Sequence, residues 1–165
     1  MSSSSSPTSG ASISLLSKLH NRLGALRELH GANELVLFGY LVAFAATVPL
    51  LMRLPLPRFA ALLSRPAHGP AAPATDVERL ERMIALAPRV ARPLVRQGCL
   101  TRGVTLFWFL RRAGLDVELR FGIDPGREES ADGHCWLSLD GEPFLEKVDP
   151  RPRFAEVYRL PLQVA

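Results

Sequence analysis

Two residues in this sequence could together supply a nucleophile and a base. Cys99 follows Gly98 at the predicted start of an apolar helix, where the partial positive charge and unpaired N–H groups of a helix N-terminus stabilise a thiolate. The same N–H groups could bind the oxyanion that forms when a carbonyl group is attacked. His134 begins a predicted strand after the polar loop 124–133. An imidazole there could act as the general base for a cysteine on another element.

An imidazole base needs a further group that orients it, and two acidic residues are candidates. Glu146 and Asp149 lie on or just after the strand predicted to follow His134. A two-residue turn at 140–141 would place Asp149 on the side of His134, whereas a loop one residue longer would place Glu146 there. Pro143 is best tolerated as the first residue of a strand, which favours the longer loop. We therefore predict Glu146 as the acid and keep Asp149 as the alternative.

The elements that must position these residues are a helix and several strands. Apolar side chains cover most of the circumference of 99–113, and Gly114 follows, which predicts a buried helix that ends there. Apolar and polar residues alternate over 115–123, as is typical of a half-buried strand. Further strands are predicted at 134–139, 143–148 and 154–160. A helix followed by antiparallel strands indicates an α+β fold.

The N-terminal part of the chain has a different composition. Residues 1–11 form a Ser-rich tail that we expect to be disordered, 12–63 a helical apolar segment, and 64–75 a Pro/Gly/Ala linker. The uncharged stretch 35–52 has 18 residues, which is the lower limit for a membrane span. A buried core helix ending near Pro49 is the alternative. No signal peptide is recognisable, so we predict a cytoplasmic protein, with membrane association through 35–52 left open.

Composition and charge exclude several classes of protein. Hydrophobic residues make up 47% of the chain and charged residues 22%, close to globular averages and unlike a fully disordered chain. Two cysteines exclude a disulfide-dense scaffold. The net charge is only +4 and the basic residues are scattered, so we expect no nucleic-acid partner. No metal-ligand spacing or phosphate-binding loop is present, and we predict neither a metal nor a cofactor.

Two segments carry a resemblance to a known family. The run CLTRGVTLFWFLRRAGLDVELRFGI begins at Cys99, and the run GHCWLSLDGEPFLE begins at Gly133. Together they resemble the transglutaminase-like cysteine peptidases of lasso-peptide biosynthesis, and the upstream Arg-Leu-Pro-Leu-Pro at 53–57 is similar as well. The resemblance covers residues 76–160. It implies a papain/transglutaminase-like domain over 76–165, in which a buried nucleophile helix packs on a small antiparallel sheet.

The resemblance also implies roles for individual residues. Cys99 matches the nucleophile and His134 the base. The acid normally stands twelve positions after the histidine and is an aspartate, whereas this chain has Glu146 there. Arg102 matches the family's arginine and is predicted to contact substrate, with a structural ion pair as the alternative. Trp136 is predicted to lie on the same strand face as His134, to shield the imidazole from water and to belong to the substrate-binding residues, with core packing as the alternative.

Cys135 is a second departure, because the family usually has alanine at this position. Strand alternation predicts that its side chain points away from His134 and into the core. We expect neither a disulfide with Cys99 nor a metal site.

The resemblance further implies a reaction and its partners. The enzyme would remove the leader from a ribosomally made precursor peptide, and an asparagine-synthetase-like cyclase would use the freed amine to form a macrolactam. A small leader-binding protein would be needed, and we expect it to be a separate chain. Two alternatives remain: a transglutaminase-like acyltransferase, and a catalytically decayed, membrane-associated interaction protein.

Overall fold

The computed structural model describes residues 29, 31–64, 77–126 and 132–161. The predicted tail, the residues before position 29 and nearly all of the predicted linker lie outside the described residues. In the described ranges the helices are α1 (Ala32–Leu51), α2 (Leu56–Leu63), α3 (Val77–Val90) and α4 (Cys99–Arg112). The strands are β1 (Glu118–Ile123), β2 (Gly133–Leu139), β3 (Glu142–Phe144) and β4 (Ala155–Leu160).

The strands form one antiparallel sheet in the order β3-β2-β1-β4. Each of the three longer strands contributes a fully buried leucine to the side that faces the helices: Leu119, Leu137 and Leu160. Helix α4 packs on this side and is buried along most of its length. The predicted α+β class and the predicted buried helix are thus confirmed.

Helix α4 approaches the sheet closely because Gly103 has no side chain. A Cβ at Gly103 would lie 2.9 Å from Sγ of Cys135 and 3.1 Å from Cδ1 of Leu119, which is closer than non-bonded atoms tolerate. Gly103 stands one turn after Cys99 on the same face of the helix. The start of α4 is therefore held beside the start of β2, where His134 lies.

The hairpin between β2 and β3 differs from the predicted one. Leu139 pairs directly with Glu142, so the loop has two residues rather than three. Asp140 and Gly141 have φ angles of 51° and 85°, as a type I′ turn requires. Pro143 is accepted inside β3 because this strand lies at the sheet edge and its outer side needs no partner. The three-residue loop from which we predicted Glu146 as the acid is therefore wrong.

The third strand is also shorter than predicted. It ends at Phe144 instead of continuing to 148. Leu145 has a φ of 60°, in the left-handed region that side chains seldom adopt. The chain therefore leaves the sheet at this point, and the direction of Glu146 is set by this bend rather than by strand alternation.

Helix α1 has one buried and one exposed apolar face. Its buried residues are Phe38, Leu41, Ala45 and Val48, and they belong to the same core as the buried residues of α3, α4 and the sheet. The other face exposes large apolar side chains such as Tyr40 and Leu50, at 68% and 60% exposure. The helix is long and apolar enough to cross a membrane by length and composition, and only 22% of its most apolar window is buried.

Candidate active site

Cys99 lies at the first position of α4 and is half-buried. No side chain caps the preceding Gly98, so the N–H groups of the first helical turn remain available to a developing negative charge. The pKa of the Cys99 thiol is lowered from 9.0 to about 5. The largest cause is a hydrogen bond from the thiol of Cys135, followed by contributions from the Cys135 backbone N–H and from His134, while burial acts in the opposite direction. At neutral pH the sulfur is therefore a thiolate, which is the nucleophilic form.

His134 connects this sulfur to a carboxylate. Its Nε2 lies 3.6 Å from Oε2 of Glu146, which leaves the other ring nitrogen for the hydrogen bond with Cys99. The imidazole packs against two aromatic rings: Trp136 is stacked with it at 6.1 Å between ring centroids, and Phe154 is tilted against it at 5.1 Å. With 26% of its side chain exposed, the ring is fixed in orientation and still reachable by a substrate.

The structure separates the two predicted acids. Glu146 faces His134, and only 13% of its side chain is exposed. The Asp149 carboxylate instead accepts hydrogen bonds from the backbone and the guanidinium of Arg151, which lowers the pKa of Asp149. Glu146 therefore occupies the third position of the constellation, although it arrives there through the bend at Leu145 and not through the register that we predicted.

A cysteine, a histidine and a carboxylate are thus brought together from α4, β2 and the segment after β3. A family model described as the transglutaminase-like superfamily matches residues 40–159. The chain belongs to the transglutaminase-like superfamily. Members of this superfamily are typically cysteine-dependent enzymes, which agrees with a thiolate at the start of a buried helix. No curated protein and no solved structure matches the chain significantly. The described residues contain no group of three metal-ligating side chains.

Arg102 holds the carboxylate of this superfamily site in place. Its Nη1 donates to Oε1 of Glu146 at 3.0 Å, while Nη2 donates to Oε1 of Glu81 at 2.9 Å and to the carbonyl of Leu145. One carboxylate oxygen of Glu146 thus faces the guanidinium and the other faces His134. The guanidinium is therefore occupied by structural ion pairs, which was the alternative to the predicted substrate contact.

Trp136 lies against His134, on the strand face where it was predicted. It is 1% exposed and packs behind His134, with its ring against Gly122, where a Cβ would lie 2.8 Å from Cζ3. Trp136 does not line the groove in which Cys99 lies. The burial of Trp136 agrees with core packing, the alternative to a substrate contact, and its ring supports the imidazole by stacking.

Three functional contacts were missed by sequence reasoning. Cys135 is buried in the core as predicted, but its thiol also reaches Cys99. The ring of Phe154, which follows β3 in the chain, packs against His134 at a tilt, and Glu81 of α3 shares Arg102 with Glu146. Cys135 directly follows the predicted base His134, and this neighbourhood could have indicated its contact with Cys99. The other two contacts depend on how loops bring distant segments together, for which the sequence has no local signal.

Replacing Cys135 with alanine should raise the pKa of Cys99. The substitution removes the S–H donor and leaves the backbone N–H and His134 in place, and a hydrogen bond to a charged group is worth about 1.5–3 kcal/mol, or about 1–2 pH units. The measurement is the midpoint of the pH profile of Cys99 alkylation by iodoacetamide. Cys135→Ser keeps a donor and should stay close to the unsubstituted protein. An unchanged midpoint in Cys135→Ala would show that the thiol contact is unimportant.

Replacing Arg102 with leucine should lower both activity and stability. It leaves the largely buried Glu146 carboxylate without its cation, which we expect to reduce the free energy of unfolding by about 1–3 kcal/mol. It also frees Glu146 to turn away from His134, so we expect kcat/KM to fall about tenfold or more. Urea titration measures the stability, and steady-state kinetics with an acyl substrate measure the activity.

Glu81→Gln is the matched control for Arg102→Leu. It weakens the other ion pair of the same guanidinium and leaves the Glu146 contact untouched, so activity should stay near that of the unsubstituted protein. If Glu81→Gln and Arg102→Leu reduce kcat/KM equally, Arg102 does not act through Glu146.

Proposed function

We propose that this protein is a cysteine peptidase that removes the leader from a lasso-peptide precursor. The observation that carries the peptidase proposal is the chain of contacts from Cys99 through His134 to Glu146. The lasso-peptide assignment is supported by the sequence resemblance at the two motifs that contain these residues. Superfamily membership supports the cysteine chemistry without selecting the substrate.

The arrangement of groups suits acyl transfer through a thioester. The Cys99 thiolate attacks the carbonyl carbon of the scissile amide, and the N–H groups at the start of α4 face the oxyanion. The protonated His134 donates its proton to the leaving amine as the C–N bond breaks. The imidazole then takes a proton from water, which attacks the thioester and releases the new carboxylate. Glu146 orients the ring and stabilises its protonated form throughout.

The proposal includes the partners that the resemblance implies. A separate leader-binding protein would deliver the precursor, and an asparagine-synthetase-like cyclase would take the freed core amine. The protein would act in the cytoplasm, and the exposed apolar face of α1 would suit association with a membrane surface.

The test combines the protein with a candidate precursor and its leader-binding partner and follows the products by mass spectrometry. We expect cleavage at one bond, with the elements of water added, and no cleavage by Cys99→Ala. Cleavage that persists in Cys99→Ala would exclude the proposed nucleophile, and no cleavage of any candidate precursor would exclude the leader-peptidase assignment.

The same reaction distinguishes the acyltransferase alternative. A thioester can pass its acyl group to an added primary amine instead of water. Adding methylamine and weighing the products separates the two, since the transferase would give mainly the amide.

A further inference from the structure

The groove that contains Cys99 has an excess of positive charge. It has a volume of about 1010 Å³ and is bordered by α3, the segment before α4, and the segment after β3. Three carboxylates line it: Glu81, Glu146 and Asp149. Six cationic side chains line it as well: Arg89, Arg92, Arg96, Arg102, Lys147 and Arg153. The charge that a ligand would meet depends on how many of these groups are already neutralised.

All three carboxylates of the groove make ion pairs, but only some of its cations do. Arg102 pairs with Glu81 and Glu146, and Asp149 pairs with Arg151, which does not line the groove. Arg153 is paired with two aspartates outside the groove, Asp124 and Asp132. Because Arg102 carries one positive charge and its two partners carry two negative charges, this cluster keeps a net charge of −1, and the excess of positive charge in the groove must come from the other cations.

Three of the cations are left without a carboxylate. Arg89, Arg96 and Lys147 make no ion pair with any residue in the part of the chain that the structure describes, and all three are exposed. Arg96 stands three positions before Cys99, and Lys147 directly follows Glu146. Both side chains line the groove that contains the nucleophile, as Arg89 does.

The floor of the groove is apolar. Its accessible apolar residues include Ala85, Pro88, Leu145 and Val148, and buried core residues such as Leu41 lie behind them. An extended peptide alternates its side chains between two directions, so it could place apolar side chains on this floor and acidic ones against the cationic rim. A single-stranded nucleic acid needs aromatic rings on which its bases stack. Phe154 is the one phenylalanine, tyrosine or tryptophan among the lining residues, and its ring is already packed against His134.

We infer that the groove takes an extended peptide segment with aspartate or glutamate side chains near the scissile bond, and that Arg89, Arg96 and Lys147 select it. The inference rests on the proposed function only in assuming that the ligand is a peptide. The three cations are specificity-determining residues and take no part in bond cleavage.

The first test measures the electrostatic potential at Cys99 without any peptide. Iodoacetate is an anion and iodoacetamide is its neutral analogue, and each alkylates a thiolate with loss of iodide. The ratio of their rates is compared between the protein and a variant in which Arg89, Arg96 and Lys147 are all glutamine. At about 10 mM salt we expect the variant to lower the ratio about threefold to tenfold, and 1 M salt should abolish the difference.

A control variant of equal net charge isolates the position of the cations. Arg53, Arg58 and Arg82 are exposed, make no ion pair with a described residue and do not line the groove. Their replacement by glutamine should leave the rate ratio unchanged. Equal effects of the two triple variants would overturn the inference, because the potential would then reflect overall charge and not the groove.

The second test measures binding of defined peptides to the Cys99→Ala variant, which cannot cleave them. A fluorescein-labelled decapeptide of alternating alanine and aspartate is compared with one of alternating alanine and asparagine by fluorescence polarisation. We expect the acidic peptide to bind at least fivefold more tightly at low salt, and the groove triple variant, also carrying Cys99→Ala, to lose this preference. Equal affinities would overturn the inference. Tighter binding of a ten-nucleotide oligothymidine than of the acidic peptide would overturn it in favour of nucleic acid.

These outcomes separate the inference from the proposed function. Acidic peptides that bind but are never cleaved would leave the groove assignment standing and remove the peptidase. A second experiment replaces the aspartates and glutamates of a precursor with asparagine and glutamine. If the enzyme cleaves both precursors equally well, the peptidase proposal stands and the proposed preference for acidic peptides is wrong.

Discussion

Alkylation of Cys99 should have its midpoint near pH 5 instead of near pH 9. The thiolate is held by the Cys135 thiol, the Cys135 backbone N–H and His134, which lower the pKa of Cys99 to about 5. The alkylation rate follows the thiolate fraction, so it should rise about tenfold per pH unit below this value and level off above it. The measurement is the initial rate of iodoacetamide incorporation by mass spectrometry between pH 3.5 and 9, with circular dichroism at each pH to confirm folding.

The midpoint is a better measure of this site than the absolute rate. A thiol with a low pKa is more fully ionised at pH 7, but its thiolate is also a weaker nucleophile, with a Brønsted coefficient of about 0.4–0.5. In the alkylation rate at neutral pH these two effects largely cancel. The midpoint of the pH profile depends only on the pKa of the thiol and therefore reports its stabilisation directly. Cys135 is an internal control, because its contact with the Cys99 thiolate and its burial raise its pKa and should leave it unmodified. A midpoint near pH 9 for Cys99 would show that the contacts at α4 do not stabilise the thiolate.

Replacing His134 with alanine should reduce kcat/KM for precursor cleavage by about 10²–10⁴-fold. No other imidazole lies among the groove-lining residues that the structure describes, so nothing replaces it in delivering a proton to the leaving amine. The Cys99 thiolate should persist in the variant, since the Cys135 hydrogen bond is its largest stabilising contact. Alkylation should therefore continue at neutral pH while cleavage fails.

Two further variants make the His134 result specific. Glu146→Gln keeps the size of the side chain and removes its charge, so we expect a smaller loss of about 10–100-fold. The double variant Cys99→Ala/His134→Ala should be no less active than Cys99→Ala, because groups that act in one step are not additive. Cleavage by His134→Ala at more than half of the original kcat/KM would exclude the histidine as the base.

Sequence reasoning was most successful where one local pattern determined the structure. The apolar circumference of α4 and the following Gly114 predicted a helix over 99–113, and the structure has one at Cys99–Arg112. The alternating pattern predicted β1, and the strand at 154–160 appears as β4 (Ala155–Leu160). These elements follow from side-chain periodicity and burial, which depend little on the rest of the chain.

Prediction failed where the chain departs from its local preferences. The third strand ends early because Leu145 adopts a positive φ, a conformation for which a leucine gives no signal. The predicted acid Glu146 reaches His134 through that bend, so the residue was chosen by an incorrect register. For Arg102 and Trp136 the sequence left two interpretations open, and the ion-pair cluster and the core packing that the structure has depend on Glu81 and Gly122 in distant segments.

Helix α1 cannot be detached from catalysis or exchanged for a simple hydrophobic tether. Its residues Leu41 and Ala45 are buried in the core directly behind the groove that contains the nucleophile. If this helix inserted across a bilayer, both side chains would be withdrawn from behind the groove, so full insertion and a competent site are mutually exclusive states. A lipid surface could be contacted only through the outward face, in the manner of a peripheral protein. Shortening the protein to improve its solubility would likewise dismantle the site, whereas polar substitutions at Tyr40 or Leu50 would leave it intact.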